Sequence, residues 1–222
     1  MELCKDKMLR SFLNNELEPV AYLIYMLAVF LQFSRSKFFR YKVLYFFYTG
    51  CALLLYTGIL FSEVNNWSYN LLFFANLIVS SWYYFTLADN RKEKSVIKYC
   101  CAFNILLFFY INVIEGRYNE YNNYVYAISF ITMVVYSLLY LYRLMINMRE
   151  ESLLLNFDFW LICGYFLYFF GSFIIVLYYD NTAFKDDRGN LWQTHNIILF
   201  ACAITTFIAS FHIFKKDTLR NV

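Results

Sequence analysis

Two apolar stretches decide the fold: FDFWLICGYFLYFFGSFIIVLYY at residues 157–179 and LWQTHNIILFACAITTFIASFHIF at residues 191–214. Asp158 is the only Asp, Glu, Lys or Arg in either of them. A helix rises ~1.5 Å per residue, so about 20 apolar residues cross the ~30 Å hydrocarbon core of a bilayer. Each stretch therefore predicts one membrane-spanning helix.

The rest of the chain repeats this pattern toward the N-terminus. Charged or Asn-rich segments separate the apolar ones, and the predicted spans are residues 19–36, 41–61, 67–88, 95–115, 123–147, 157–179 and 191–214. We predict an all-α fold, a single integral membrane domain over residues 1–222 built as a polytopic bundle of seven transmembrane helices. The apolar run after Pro19 is short, which leaves open six spans with an interfacial N-terminal helix.

The composition indicates a bilayer environment and few other partners. The chain is 61% hydrophobic and 16% charged, whereas soluble domains are roughly a quarter charged. A net charge of +3 gives no basis for a nucleic-acid partner. We expect no metal and no other cofactor, because the six Cys lack zinc-site spacing and His195 and His212 stand ~25 Å apart along one helix.

The positions of Lys and Arg predict the topology. They are about twice as frequent in the segments that lie inside when the N-terminus is outside, which favours an outer N-terminus and an inner C-terminus. The chain then belongs in the cell membrane as a multi-pass protein, such as one of a bacterial inner membrane. Its mixed-charge start lacks an apolar signal-peptide core, so we expect no cleaved leader. Arg143, at the inner end of the fifth span, should extend to the membrane interface.

Helix ends and packing positions are also readable. Ser95, Asn122 and Asn156 stand where caps of the fourth, fifth and sixth helices are expected. Gly164 and Gly171 lie on one side of the sixth span and predict close packing against another helix.

Polar side chains inside the spans are the candidate ligand-binding positions, because they are costly unless they face protein or water. They are Asn76, Asn104, Asn112, Glu115 and His195. Asn104, Asn112 and Glu115 share one helical face, which should face the bundle. Asn112 and Glu115 lie at the outer depth of His195, so we expect them to form one outward-opening pocket. The alternative is that Glu115 is solvated while His195 and the Asn residues hydrogen-bond neighbouring helices.

No motif of a reaction centre is present, and we predict no catalytic residues. The last span lacks the lysine that a retinal pigment needs, and two histidines are too few for a seven-helix zinc hydrolase. Neither an H-E-x-x-H nor a G-x-S-x-G pattern occurs. Whether the protein is an enzyme is left open, with the sequence leaning against it.

Two blocks in the last two spans carry a resemblance. Phe159-Trp160, Gly164 and residues 168–172, together with Leu191-Trp192 and residues 195–198, resemble small uncharacterised bacterial seven-transmembrane proteins that accompany sensor histidine kinases. The resemblance implies a sensory or signal-coupling role and supplies no catalytic residues.

The preferred hypothesis is a sensory or signal-transduction component without enzymatic activity of its own. Its basic inner segments, residues 35–42 and 91–98, would contact anionic lipid or a cytoplasmic kinase. One alternative is a channel or transporter with a polar pathway through Asn76, Asn104 and Asn112. The others are an intramembrane lipid-modifying enzyme that uses Glu115 or His195, and a structural or assembly role. The oligomeric state is left open.

Overall fold

The computed structural model describes residues 17–34, 39–60, 66–117, 120, 122–147, 153, 156–179 and 188–220. These residues form seven helices: α1 (Leu17–Phe33), α2 (Phe39–Leu60), α3 (Asn66–Leu87), α4 (Arg91–Phe109, continued as a π-helix over Tyr110–Ile114), α5 (Asn123–Asn147), α6 (Phe157–Tyr179) and α7 (Arg188–Arg220). The predicted all-α fold class is confirmed.

Four of the helices, α4 to α7, are long and apolar enough to cross a membrane. Their apolar lengths are Arg91–Ile114, Asn123–Ile146, Phe157–Tyr178 and Asn190–Phe211, while α1 is a shorter apolar helix of 17 residues. Large apolar side chains point outward from the bundle, such as Phe46, Tyr99 and Leu106, each about 70% exposed. A surface of this kind suits lipid, and the protein is a membrane-embedded helical bundle.

Two helix starts differ from the predicted ones. The fourth helix begins at Arg91 and not near Ser95, because the Asn90 side chain accepts a hydrogen bond from the Glu93 backbone N–H at 2.7 Å. Helix α7 likewise begins at Arg188 and continues to Arg220, beyond the apolar stretch. The apolar pattern predicts only the part of a helix that lies in the bilayer, and these two helices extend beyond that part.

The predicted caps at the fifth and sixth helices are confirmed. Asn122 Oδ1 accepts from the Val125 backbone N–H at 3.3 Å, and Asn156 Oδ1 accepts from the Asp158 backbone N–H at 2.9 Å. Each side chain pairs a donor that the first helical turn leaves free.

The packing order of the helices places α6 between α5 and α7, and α1 between α2 and α7. Close approach of α6 to α7 depends on the two glycines. A Cβ at Gly164 would lie 3.1 Å from Thr206 Oγ1, and one at Gly171 would lie 3.0 Å from Ile198 Cδ1. This confirms the predicted role of both glycines. Helix α4 lies at the periphery, with its main contacts to α3 and α5.

Successive helices run in opposite directions, so the bundle has two ends. The His195 end holds the first turns of α1, α3, α5 and α7, where Glu18, Tyr126 and His195 lie around one cavity. The Asp158 end holds the first turns of α2 and α6 and the last turns of α3, which meet at Asp158. Both ends carry buried polar groups, and the two differ in how those groups are satisfied.

Candidate functional site

A half-open cavity lies at the His195 end of the bundle. Its volume is about 460 Å³, counting the space at its mouth. Ten residues from five helices line it: Glu18, Tyr22, Leu72, Phe73, Asn76, Tyr126, Phe130, Tyr168, Trp192 and His195. Pockets for small molecules are concave, largely apolar and carry a few polar groups, and this cavity has that composition.

His195 is held in the wall of the cavity by aromatic neighbours on both sides. The Trp192 ring stacks on it with centroids 5.0 Å apart and an interplanar angle of 19°. This contact follows from the i, i+3 spacing on α7. Tyr168 of α6 places its hydroxyl 3.3 Å from His195 Nε2. His195 Nδ1 is buried and has no hydrogen-bond partner among the described residues.

Among the described residues that line the cavity, Glu18 is the only acidic one. It stands in the first turn of α1, one residue ahead of the first predicted span, and is 7% exposed. Burial raises the pKa of its carboxyl group to about 7. Among the described residues, none of those lining the cavity is a Lys or Arg. The carboxylate therefore has no cation of the protein to offset its desolvation.

Asn76 lies deeper in the same wall, and it also lines a smaller cavity next to Ser129 and Met133. Its Oδ1 accepts a hydrogen bond from Ser80 Oγ at 2.9 Å, one turn further along α3. Near the mouth, the Tyr126 hydroxyl donates to Asn70 Oδ1, which fixes the Tyr126 ring as a wall. The cavity is therefore shaped by hydrogen bonds between side chains.

The structure brings two of the five predicted site residues together, Asn76 and His195. Asn104 lies between α4 and α5, 1% exposed, where it accepts from Ser129 Oγ at 2.7 Å and donates to Thr132 Oγ1 at 3.2 Å. It therefore joins two helices and does not line the cavity.

Asn112 and Glu115 also lie away from the cavity. Asn112 is buried in the π-helical turn and donates to the Phe108 carbonyl at 2.9 Å. Glu115 is exposed. The nearby Arg117 forms an ion pair with Glu120, at 2.6 Å. The expected common pocket with His195 does not form, because α4 packs against α3 and α5 on the far side of the bundle. The inward face of Asn104 and Asn112 was predicted correctly.

A buried charged cluster at the Asp158 end was missed by the sequence analysis. Asp158, 5% exposed, accepts hydrogen bonds from Arg40 Nη2 at 2.6 Å, Tyr41 OH at 2.9 Å and Tyr83 OH at 2.6 Å. Its carboxylate thus ties α6 to α2 and α3. The available signal was a single acid in a long apolar stretch, which requires a buried partner.

Arg143 was predicted to extend to the membrane interface, and the structure places its guanidinium in an ion-pair network that was not predicted. Its side chain is 15% exposed and lies 2.6 Å from Glu93 and 3.3 Å from Asp89, and it also donates to the Leu87 carbonyl. The end of α3 and the start of α4 bring both acids to within reach of α5. Pairing with them is more favourable for the guanidinium than extension toward the interface.

A column of four tyrosines connects the two ends. Tyr22, in the cavity wall, has its ring centroid 6.2 Å from that of Tyr48, whose hydroxyl bonds to that of Tyr165. The Tyr165 and Tyr83 rings are 6.4 Å apart, and Tyr83 donates to Asp158. This tyrosine column runs through α1, α2, α6 and α3, and so joins the cavity to the Asp158 cluster by direct contacts.

The described residues contain no group of three or more His, Cys, Asp or Glu side chains placed to hold a metal ion. Comparisons with protein-family models, with curated proteins and with solved structures found no match.

Proposed function

We propose that this chain is a multi-pass sensor of the cell membrane, with seven spans, an outer N-terminus and an inner C-terminus. It binds a small ligand in the His195 cavity, transmits the binding to the Asp158 end, and has no enzymatic activity of its own. The observation that carries the proposal is a cavity walled by five helices. An occupant of such a cavity contacts most of the bundle at once.

A ligand shifts a conformational equilibrium only by its difference in affinity for the two states. Contacts with α1, α3, α5, α6 and α7 make that difference sensitive to their relative positions. Packed helices at an effector site shift by ~1–2 Å in such transitions. The tyrosine column supplies the contacts through which a shift of α1 or α6 reaches Asp158.

The Asp158 end is the proposed output surface. Arg91 and Lys92 are exposed there, and Lys94 and Lys98 lie over the Phe85 ring at 5.6 and 5.2 Å. Clustered basic residues beside a membrane favour anionic lipid or an acidic surface of a partner, such as a cytoplasmic kinase. Arg40 is not available for such a partner, since it pairs with Asp158. In the other basic segment, residues 35–42, residues 35–38 lie outside the described residues.

Fluorine NMR on 5-fluorotryptophan protein in lipid nanodiscs tests the proposal. Trp192 lines the cavity, whereas Trp160 opens α6 and Trp82 packs on Phe39 at the start of α2. Trp→Phe variants assign the resonances, and every protein used carries Trp67→Phe so that three resonances remain. A compound library is screened for a shift at Trp192.

If the protein is a sensor, a compound that shifts the Trp192 resonance should also shift the resonances of Trp160 and Trp82. Tyr165→Phe should then weaken the shifts at Trp160 and Trp82 more than the shift at Trp192. Shifts confined to Trp192 for every binder refute the proposal. Reporter fusions at the two termini test the topology, and finding both on the same side refutes seven spans.

Two of the three alternatives, the channel or transporter and the lipid-modifying enzyme, draw less support from the described contacts. A polar pathway through Asn76, Asn104 and Asn112 is interrupted, because Asn104 is engaged with α5 and only Asn76 lines the cavity. For a lipid-modifying enzyme that uses Glu115 or His195, only His195 lies in the cavity, since Glu115 is exposed and outside it. Ion flux and lipid turnover in proteoliposomes are the measurements that would favour either alternative.

A further inference from the structure

We propose that the His195 cavity binds an organic monocation, an ammonium group carried on an apolar or aromatic body. The inference rests on the sensor proposal and names the chemical class of its ligand.

The first argument is the charge of the wall. Glu18 is 7% exposed, and none of the described residues donates a hydrogen bond to it or forms an ion pair with it. A carboxylate in this position is unfavourable unless a cation joins it. The raised pKa of Glu18, about 7, is the expected response to a missing partner. A bound cation would supply that partner.

The second argument is the aromatic lining. Six of the ten wall residues are aromatic: Tyr22, Phe73, Tyr126, Phe130, Tyr168 and Trp192. Aromatic faces attract cations through the ring quadrupole, and cages of such rings recognise quaternary and methylated ammonium groups. The same faces repel anions, and Glu18 adds to that repulsion. The cavity therefore selects positive charge by two independent features.

Oxygen ligands distinguish an organic cation from an inorganic one. Hard metal cations take about six or more oxygen ligands, whereas the wall offers one carboxylate, one amide and the hydroxyls of its tyrosines. An ammonium group bears apolar substituents that the rings and Leu72 can cover.

The test compares three probes that share a phenyl body. Phenethyltrimethylammonium carries the charge, 3,3-dimethylbutylbenzene is its uncharged carbon isostere, and 3-phenylpropionate is an anion. Each is titrated into full-length 5-fluorotryptophan protein in nanodiscs, and the Trp192 shift gives the affinity. We expect the ammonium to bind at least about tenfold more tightly than the isostere, because only the cation is attracted by the Glu18 carboxylate and by the faces of the aromatic rings.

Two variants and a matched control locate the interaction. Glu18→Gln should weaken ammonium binding at least about tenfold and leave the isostere unchanged. Glu115→Gln removes the same charge from an exposed position outside the cavity, and it should have no effect. Phe73→Leu keeps apolar volume but removes one aromatic face, and it should weaken the ammonium about threefold to fivefold. If Glu18→Gln fails to fold, the probe comparison and Phe73→Leu still decide.

The outcomes separate this inference from the sensor proposal. Tighter binding of the isostere or the anion, an unaffected Glu18→Gln, or no Trp192 shift with any ammonium at millimolar concentration overturns the ammonium class. A neutral or anionic compound that shifts Trp192, Trp82 and Trp160 overturns it while the sensor proposal stands. An ammonium that shifts Trp192 alone, when no other binder shifts Trp82 or Trp160 either, supports the ligand class and refutes the sensor.

Discussion

Replacing Asp158 by Asn should lower the free energy of unfolding by about 3 kcal/mol. The carboxylate accepts three hydrogen bonds, from Arg40, Tyr41 and Tyr83. Hydrogen bonds to a charged group contribute about 1.5–3 kcal/mol each, and breaking a buried ion pair from one side costs about 3–5 kcal/mol. Asn keeps one acceptor oxygen for a tyrosine hydroxyl but turns an N–H₂ group toward the Arg40 guanidinium. Because the Arg40 side chain is 21% exposed and partly reaches solvent, we take the lower part of that range.

The assay is reversible unfolding in mixed detergent micelles. The fraction of denaturing detergent is increased stepwise, and the loss of helix is measured by circular dichroism. Asp89→Asn is the matched control. Asp89 also lies near an arginine, 3.3 Å from Arg143, but its side chain is 76% exposed. The control should cost less than about 1 kcal/mol, as exposed ion pairs do.

A double-mutant cycle with Tyr83→Phe isolates the contact. Tyr83→Phe removes one hydroxyl, and it should lower the free energy of unfolding by about 1.5 kcal/mol in the native protein. In a protein that already carries Asp158→Asn, the same change should lower it markedly less. An Asp158→Asn protein as stable as Asp89→Asn would refute the reasoning. So would strict additivity in the cycle, because it would mean that the Asp158 cluster does not hold α2, α3 and α6 together.

Four other variants test the packing, the second charged cluster and the cavity. Gly164→Leu should cost about 2 kcal/mol in micelle unfolding, because a Cβ there already lies 3.1 Å from an oxygen of α7. Arg143→Gln should cost about 2 kcal/mol in the same assay, since it leaves a partly buried carboxylate unpaired. Asn104→Leu should cost about 1 kcal/mol through its lost bonds to α5, yet leave ammonium affinity by fluorine NMR unchanged. The affinity for the ammonium should rise about tenfold from about pH 6 to 8 and then level off. The reason is that only ionised Glu18 pairs with the cation, and the pKa of Glu18 is about 7. Glu18→Gln should abolish this rise.

Controls make the packing, ion-pair and pH expectations refutable. Gly50→Leu adds the same side chain where no atom lies within 4 Å of a built Cβ, and it should not destabilise. Arg117→Gln breaks an exposed pair and should cost less than about 1 kcal/mol. Equal effects within either pair contradict the packing and ion-pair arguments. A pH rise that survives Glu18→Gln would contradict the assignment of the rise to Glu18. The other titratable groups of the wall are Tyr22, Tyr126, Tyr168 and His195, and Cys51 also interacts with Glu18.

Sequence patterning predicted the helices well because lipid and helix geometry act on each segment separately. The apolar lengths of α4 to α7 and the caps at Asn122 and Asn156 follow from local rules. The start of α4 was misplaced for the same reason, since a charged first turn that follows the Asn90 cap contributes nothing to apolar patterning.

The site was only partly predictable because it depends on which helices are neighbours. His195 and Asn76 were identified from their burial cost, but Glu115 was grouped with His195 by depth alone. Depth does not specify the position of α4 around the bundle. Glu18 was missed because it precedes the first apolar run and resembles a solvated charge in sequence. Pairs such as Arg143 with Glu93 likewise require the packing order.

The contrast between the two ends of the bundle argues for the location of the function. At the Asp158 end, the buried acid has three donors, and Arg143 has two acids and a carbonyl. At the His195 end, the described contacts leave Glu18 without a cation and His195 Nδ1 without a partner. Buried carboxylates are normally paired, so one without a cation in the wall of an open cavity requires a separate explanation. A bound cation would pair with Glu18, and it would then lie at the end of the bundle opposite the proposed output surface.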